Sequence, residues 1–100
     1  AGERAEPAAV RPAAELRRAR LLLELDRAGE AAELAAGVAE AHPAYAGTAR
    51  AIEGDARAAN GELEAALSAY RSARQARDGQ GRLLDMKIDD LTSRLAAEES

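Results

Sequence analysis

One hundred residues bound a single domain, and 32% charged with 47% hydrophobic residues is a globular composition. A net charge of -4 and an isoelectric point near 5.0 leave no basic face for a phosphate backbone, which excludes DNA and RNA as partners. No run approaches the roughly 18 consecutive apolar residues of a membrane span, so the chain itself is expected to stay out of the bilayer. The absence of cysteine excludes disulfide and thiolate-metal frameworks and leaves the compartment open.

Of the 47 hydrophobic residues 28 are alanine, so helices should form readily and pack closely while each gains little from burial. Residues 1–12, with Pro7 and Pro12 among alanines, read as a flexible lead-in or the end of a preceding helix. Because the sequence opens on Ala1 rather than Met, further chain is expected upstream. From Ala13 the pattern turns helical: Leu16, Ala19, Leu22, Leu23 and Asp26 follow the period. The run Leu21-Leu22-Leu23-Glu24-Leu25 is apolar nearly all round and asks for cover on more than one side. Gly29 is expected to end this helix. A second helix follows from Glu30 to Ala41, with Leu34, Ala35 and Val38 facing inward, and His42-Pro43 breaks it, Pro43 suiting the first position of the next helix.

The third helix, Ala44 to Ala59, carries Tyr45, Ala49, Ile52, Ala56 and Ala59 on one face. Gly47, Ala51, Gly54 and Ala58 on another are small enough to admit a neighbouring axis. Asn60-Gly61 is a strong stop. A fourth helix from Glu62 to Arg77 buries Leu63, Ala66, Leu67, Tyr70 and Ala73, and Asp78-Gly79-Gln80-Gly81 makes the next turn. A fifth, Arg82 to Ala97, presents Leu84, Ile88, Leu91 and Leu95 as one seam, a capping helix for the preceding hairpin. Nothing alternates with period two, so strands are absent. The expected fold is all-α: residues 13–100 form one repeat domain of about two antiparallel hairpins and a C-terminal cap.

Glycines at 54 and 61, with Ala66, Tyr70 and Ala73 following five, nine and twelve residues after Gly61, resemble the tetratricopeptide repeat (TPR) pattern. Small residues let the first helix of a hairpin nest on the second, the turn glycine reverses the chain, and the aromatic fills the gap to the next hairpin. Arg50, Glu53 and Arg57 depart from that pattern by standing where large apolar residues are usual, and Asp78 replaces the usual terminal proline. Three stretches together carry a narrower likeness: Leu16-Arg17-Arg18-Ala19-Arg20, then Glu53-Gly54-Asp55 with Asn60-Gly61-Glu62, then Leu84-Asp85-Met86-Lys87-Ile88-Asp89-Asp90-Leu91. In this order they resemble the C-terminal half of the YfgM family, the ancillary subunit of the bacterial SecYEG translocon, over Ala13 to Leu91. Tyr45 stands where that family often has tryptophan. The resemblance implies a TPR-like periplasmic domain of a single-pass inner-membrane protein whose anchor lies outside this sequence. The partners it implies are SecYEG and a PpiD-type chaperone.

No candidate catalytic, cofactor-binding or metal-binding residue emerges, and no cofactor is expected. His42 has no cysteine to partner it and sits at a turn; Ser68, Ser72 and Ser93 lie on helices without a strained nucleophile turn. Asp85, Asp89 and Asp90 lack the glycine-centred loop of a calcium site and read as a solvated acidic face. Arg17, Arg18 and Arg20, and later Arg71, Arg74 and Arg77, suit a clamp for acidic peptide ends. Surface ion pairs with Glu15, Glu24, Glu64 and Asp78 are the more economical expectation. The functional expectation is therefore a non-catalytic protein–protein interaction scaffold at the translocon, the alternative being a cytosolic TPR adaptor that binds a peptide terminus. The Leu21 to Leu25 end is expected to be covered by upstream repeats in a longer chain, and, where it stays exposed, to give weak self-association.

Overall fold

A computed structural model describes residues 10–76, 78 and 81–99. Among the described residues five α-helices run in order: α1 (Val10–Glu24), α2 (Ala28–Ala41), α3 (Ala46–Ala59), α4 (Leu63–Gln75) and α5 (Gly81–Glu99), with a 3-10 turn, Pro43–Tyr45, before α3. No strand occurs among the described residues. The helices pair in sequence, α1 on α2 and α3 on α4, while α3 also packs along α2 and α5 packs on α4. The architecture is thus two antiparallel hairpins and a capping helix.

The two intra-hairpin turns close by the same physics. After α3, Gly61 takes a left-handed backbone with φ of 81°. Its N–H donates to the Ala58 carbonyl at 3.1 Å and that of Glu62 to the Arg57 carbonyl at 2.8 Å, the paired bonds that terminate a helix on a left-handed residue. After α1 the pattern repeats with Asp26 in the left-handed position, φ 62°, the Asp26 N–H donating to Leu23 at 3.1 Å and that of Arg27 to Leu22 at 2.9 Å. The stop is therefore Asp26, and Gly29 falls inside the first turn of α2 instead of ending α1. Aspartate tolerates the left-handed region better than most residues, which makes the glycine unnecessary.

The first helix also begins earlier than its hydrophobic period suggests. Val10, Arg11 and Pro12 belong to α1, because proline in the first turn of a helix forfeits no internal hydrogen bond. The rest of the expected lead-in, residues 1–9, lies outside the described residues, as do residues 79 and 80 of the expected Asp78–Gly81 turn. Gly81 itself opens α5. Pro43 initiates the 3-10 turn, with α3 proper following from Ala46.

The interior is as thin as its alanine content implies. Between α1, α2 and α3, Leu16, Ala19, Ala35, Val38, Ala39, Ala49 and Ile52 are buried, with Leu23, Leu34 and Tyr45 packed at the edge. Between α4 and α5, Ala66, Leu67, Tyr70, Ala73, Leu84 and Leu91 form the second cluster, and Ile88 and Leu95 complete the expected seam. Alanine lets the axes approach but contributes little burial per residue.

One contact fixes the α3/α4 hairpin and a second braces α3 itself. A Cβ on Gly54 would lie 2.5 Å from ring carbons of Tyr70, so the aromatic ring rests directly on the glycine backbone. On another face of α3 the Glu53 carboxylate is buried and gripped from both sides, accepting from the Arg50 and Arg57 guanidinium groups at 2.8 Å each. Positions that depart from the repeat's apolar pattern are therefore occupied by a carboxylate held between two guanidinium groups, with Glu62 a further 3.3 Å partner for Arg57. The Glu53 hydrogen bond is the main reason that the Arg57 pKa is raised.

Candidate interaction site

The odd-numbered helices share one side of the molecule, where Arg20 of α1, Thr48, Ala51, Ile52 and Asp55 of α3, and Leu83, Leu84 and Lys87 of α5 line a cleft closed at one end by Asp78. Its volume is 110 Å3, well below the roughly 300–1,000 Å3 of small-molecule pockets. It has room for about one side chain of a protein partner.

Each polar group in the cleft is positioned by a different element. Asp78, in the chain between α4 and α5, accepts the backbone N–H of Gly47 at 2.6 Å and of Thr48 at 3.1 Å, and the Thr48 hydroxyl at 3.2 Å. It thereby satisfies orphan donors at the start of α3, where the helix dipole favours a negative charge. Asp55 accepts hydrogen bonds from the Tyr70 hydroxyl and from Lys87 Nζ, the latter at 2.9 Å. The ammonium group also lies 5.5 Å from the centre of the Tyr70 ring, within cation–π range. Burial, followed by the hydrogen bond to Asp55, pushes the Tyr70 pKa up.

Both carboxylates are thus already engaged by the protein, and the Thr48 hydroxyl is spent on Asp78. What the cleft offers a partner is an apolar floor of Ala51, Ile52 and Leu84, the half-exposed Leu83 at its rim, and the exposed Arg20 guanidinium. Among the described residues Arg20 makes no ion pair. An apolar side chain entering next to a carboxylate would satisfy both halves of this surface.

The residues singled out in the sequence fall in several places. His42 caps the C-terminus of α2 and is partly buried, not a freely exposed turn residue; its N–H donates to Val38 and its carbonyl accepts from Tyr45. Ser68, Ser72 and Ser93 are exposed, as are Asp85, Asp89 and Asp90 on the outer face of α5. No cluster of metal-ligating side chains occurs among the described residues. The arginine pairs differ from expectation: Arg74 bonds Asp85 at 2.8 Å, not Asp78, whose carboxylate is taken by the α3 amides. Arg17 and Arg18 make no ion pair with Glu15 or Glu24 among the described residues, and Arg77 lies outside them. The roles of Asp55, Asp78 and Lys87 had no local signal, because their partners lie 15 to 32 residues away in the chain.

Over residues 1–93 the chain matches a family model described as a tetratricopeptide repeat-like domain. No curated protein and no solved structure matches significantly.

Proposed function

The chain belongs to the tetratricopeptide repeat-like domain family, an architecture that suggests a protein–protein interaction scaffold, and we propose that the cleft between α1, α3 and α5 is where this scaffold holds its partner. In this reading residues 13–100 act as one non-catalytic repeat domain. Affinity comes from an apolar anchor over Ala51, Ile52 and Leu84, and Arg20 orients it by charge.

The partner in this proposal is the SecYEG translocon together with a PpiD-type chaperone, and the location is the periplasmic side of a bacterial inner membrane. One observation carries the choice. Each of the three stretches that resemble the YfgM family contributes to the lining of this cleft, through Arg20, Asp55 and the pair Leu84 and Lys87, and the second and third are joined by the 2.9 Å bond between Lys87 and Asp55.

Site-specific photo-crosslinking tests this directly. A photoreactive side chain at Leu83 of the full-length protein, in its native membrane, is expected to capture translocon or chaperone subunits. The same group at Ser72, on the opposite side of the hairpin, should not. Capture of cytosolic proteins alone would replace this reading with that of a cytosolic adaptor.

A further inference from the structure

The outermost helices among the described residues, α1 and α5, present different outer faces. Beyond Leu83 and Met86 near its start, α5 turns polar side chains such as Asp89, Asp90, Ser93 and Arg94 outward, as a solvent-facing helix of a repeat stack does. On the opposite side of the described residues α1, with Leu25 just after it, exposes a continuous stripe, Ala14, Arg17, Arg18, Leu21, Glu24 and Leu25, at spacings of three and four. Leu21 is 55% and Leu25 59% exposed. The leucine run was expected to be covered on more than one side, and among the described residues α2 and α3 cover only one.

The order of charges on this stripe specifies what fits it. Arg17, Arg18 and Glu24 make no ion pair among the described residues, although all are on the same face. Around a two-fold axis through Leu21, antiparallel copies of α1 place residues equally far before and after position 21 opposite one another. Leu21 then meets its own copy, Arg18 faces the second copy's Glu24, Arg17 lays its aliphatic stem over the second copy's Leu25, and symmetry repeats each contact. A self-complementary patch of this kind is the requirement for an isologous dimer.

We infer that a second copy of this chain docks on the outer face of α1, antiparallel and two-fold symmetric, with Leu21 at the centre and two Arg18–Glu24 pairs flanking it. A single helix of 15 residues against its copy falls below the roughly 1,200 Å2 of stable interfaces, so the dimer is weak, with a dissociation constant on the order of 100 µM. The inference concerns a surface outside the cleft and does not rest on the partner proposed for it.

Sedimentation equilibrium of the full chain at up to about 1 mM tests it, with charge exchange fixing the register. Arg18→Glu and Glu24→Arg are each expected to weaken association about tenfold by placing like charges opposite one another, and Leu21→Glu to abolish it. The double exchange Arg18→Glu with Glu24→Arg should restore association to within about threefold of the starting protein. Met86→Glu, at the capped end, should leave it unchanged. All four positions are exposed, so far-UV circular dichroism should be the same throughout. A strict monomer at the highest concentration, a double exchange no better than the single changes, or dissociation by Met86→Glu would each overturn the inference.

Discussion

Gly54→Ala isolates the contact that sets the α3/α4 hairpin. Within a helix the change alone should stabilise by about 0.5–1 kcal/mol, since glycine loses more backbone freedom on folding. Here the new Cβ would sit 2.5 Å from Cδ1 and Cε1 of Tyr70 and 3.0 Å from Cγ, whereas carbon atoms in contact rest about 3.5–4.0 Å apart. The ring has nowhere to go: it is 4% exposed, its hydroxyl donates to Asp55, and Lys87 lies over its face. Either α4 retreats by about 1 Å or the ring leaves its rotamer, and overpacking of this kind costs about 1–3 kcal/mol. The net expectation is a loss of about 1–2 kcal/mol, or a fall in Tm of about 4–15 °C for a domain of this size. Gly37→Ala is the matched control, because Gly37 is an exposed residue inside α2 with nothing within 4 Å of its would-be Cβ. It should gain about 0.5–1 kcal/mol. Urea unfolding followed by circular dichroism reads both, and Tyr70→Leu in the Gly54→Ala background should recover at least about 1 kcal/mol relative to additivity. If the two alanine variants prove equally stabilising, the ring does not hold the hairpin and the reasoning is wrong.

Other consequences can be checked on the same protein. Asp78→Ala should cost about 1 kcal/mol, the worth of a helix cap, and raise amide exchange selectively at Gly47 and Thr48; uniform exchange changes would argue against a capping role. Asp26→Gly should stabilise by about 0.5–1 kcal/mol by relieving a left-handed non-glycine residue, whereas Gly61→Ala, with φ of 81°, should destabilise by a similar amount. Above about pH 10 the unfolded chain loses the tyrosine proton while the folded one retains it on Tyr70, so the native state binds more protons and stability falls as pH rises. The slope should approach about 1.4 kcal/mol per pH unit, and Tyr70→Phe should flatten it; an unchanged slope in that variant would remove Tyr70 as the cause.

Helix number, the α5 seam and the Asn60-Gly61 stop were legible because each is local: a 3.6-residue period, or a residue whose backbone freedom the turn needs. The first turn was not, since aspartate only occasionally takes the left-handed position, and Gly29, one residue into α2, looked the better stop. The start of α1 was hidden by Pro12, which reads as a break although the first turn of a helix accepts it. The cleft was legible only in pieces. Its stretches were recognisable, but the bonds from Asp55 to Tyr70 and Lys87, and from Asp78 to the start of α3, join residues 15 to 32 positions apart that no local pattern links.

Those long-range bonds also answer a question raised by the composition. A core built on alanine supplies helix propensity without the large interlocking side chains that usually single out one packing arrangement. In this chain directional contacts take that role: Tyr70 seated on Gly54, Glu53 held between Arg50 and Arg57, Lys87 bonded to Asp55, and Asp78 at the α3 amides. The first, third and fourth each span a pair of elements that alanine alone would let slide, while the Glu53 bonds brace α3 from within. Two of them, Lys87 with Asp55 and Asp78 with the α3 amides, join the cap and its approach to α3, across which α5 has few backbone contacts of its own. The groups that shape the cleft are therefore the same ones that hold the cap in place, and a substitution at Asp55 or Asp78 should alter partner binding through the position of α5 even where no partner atom touches it.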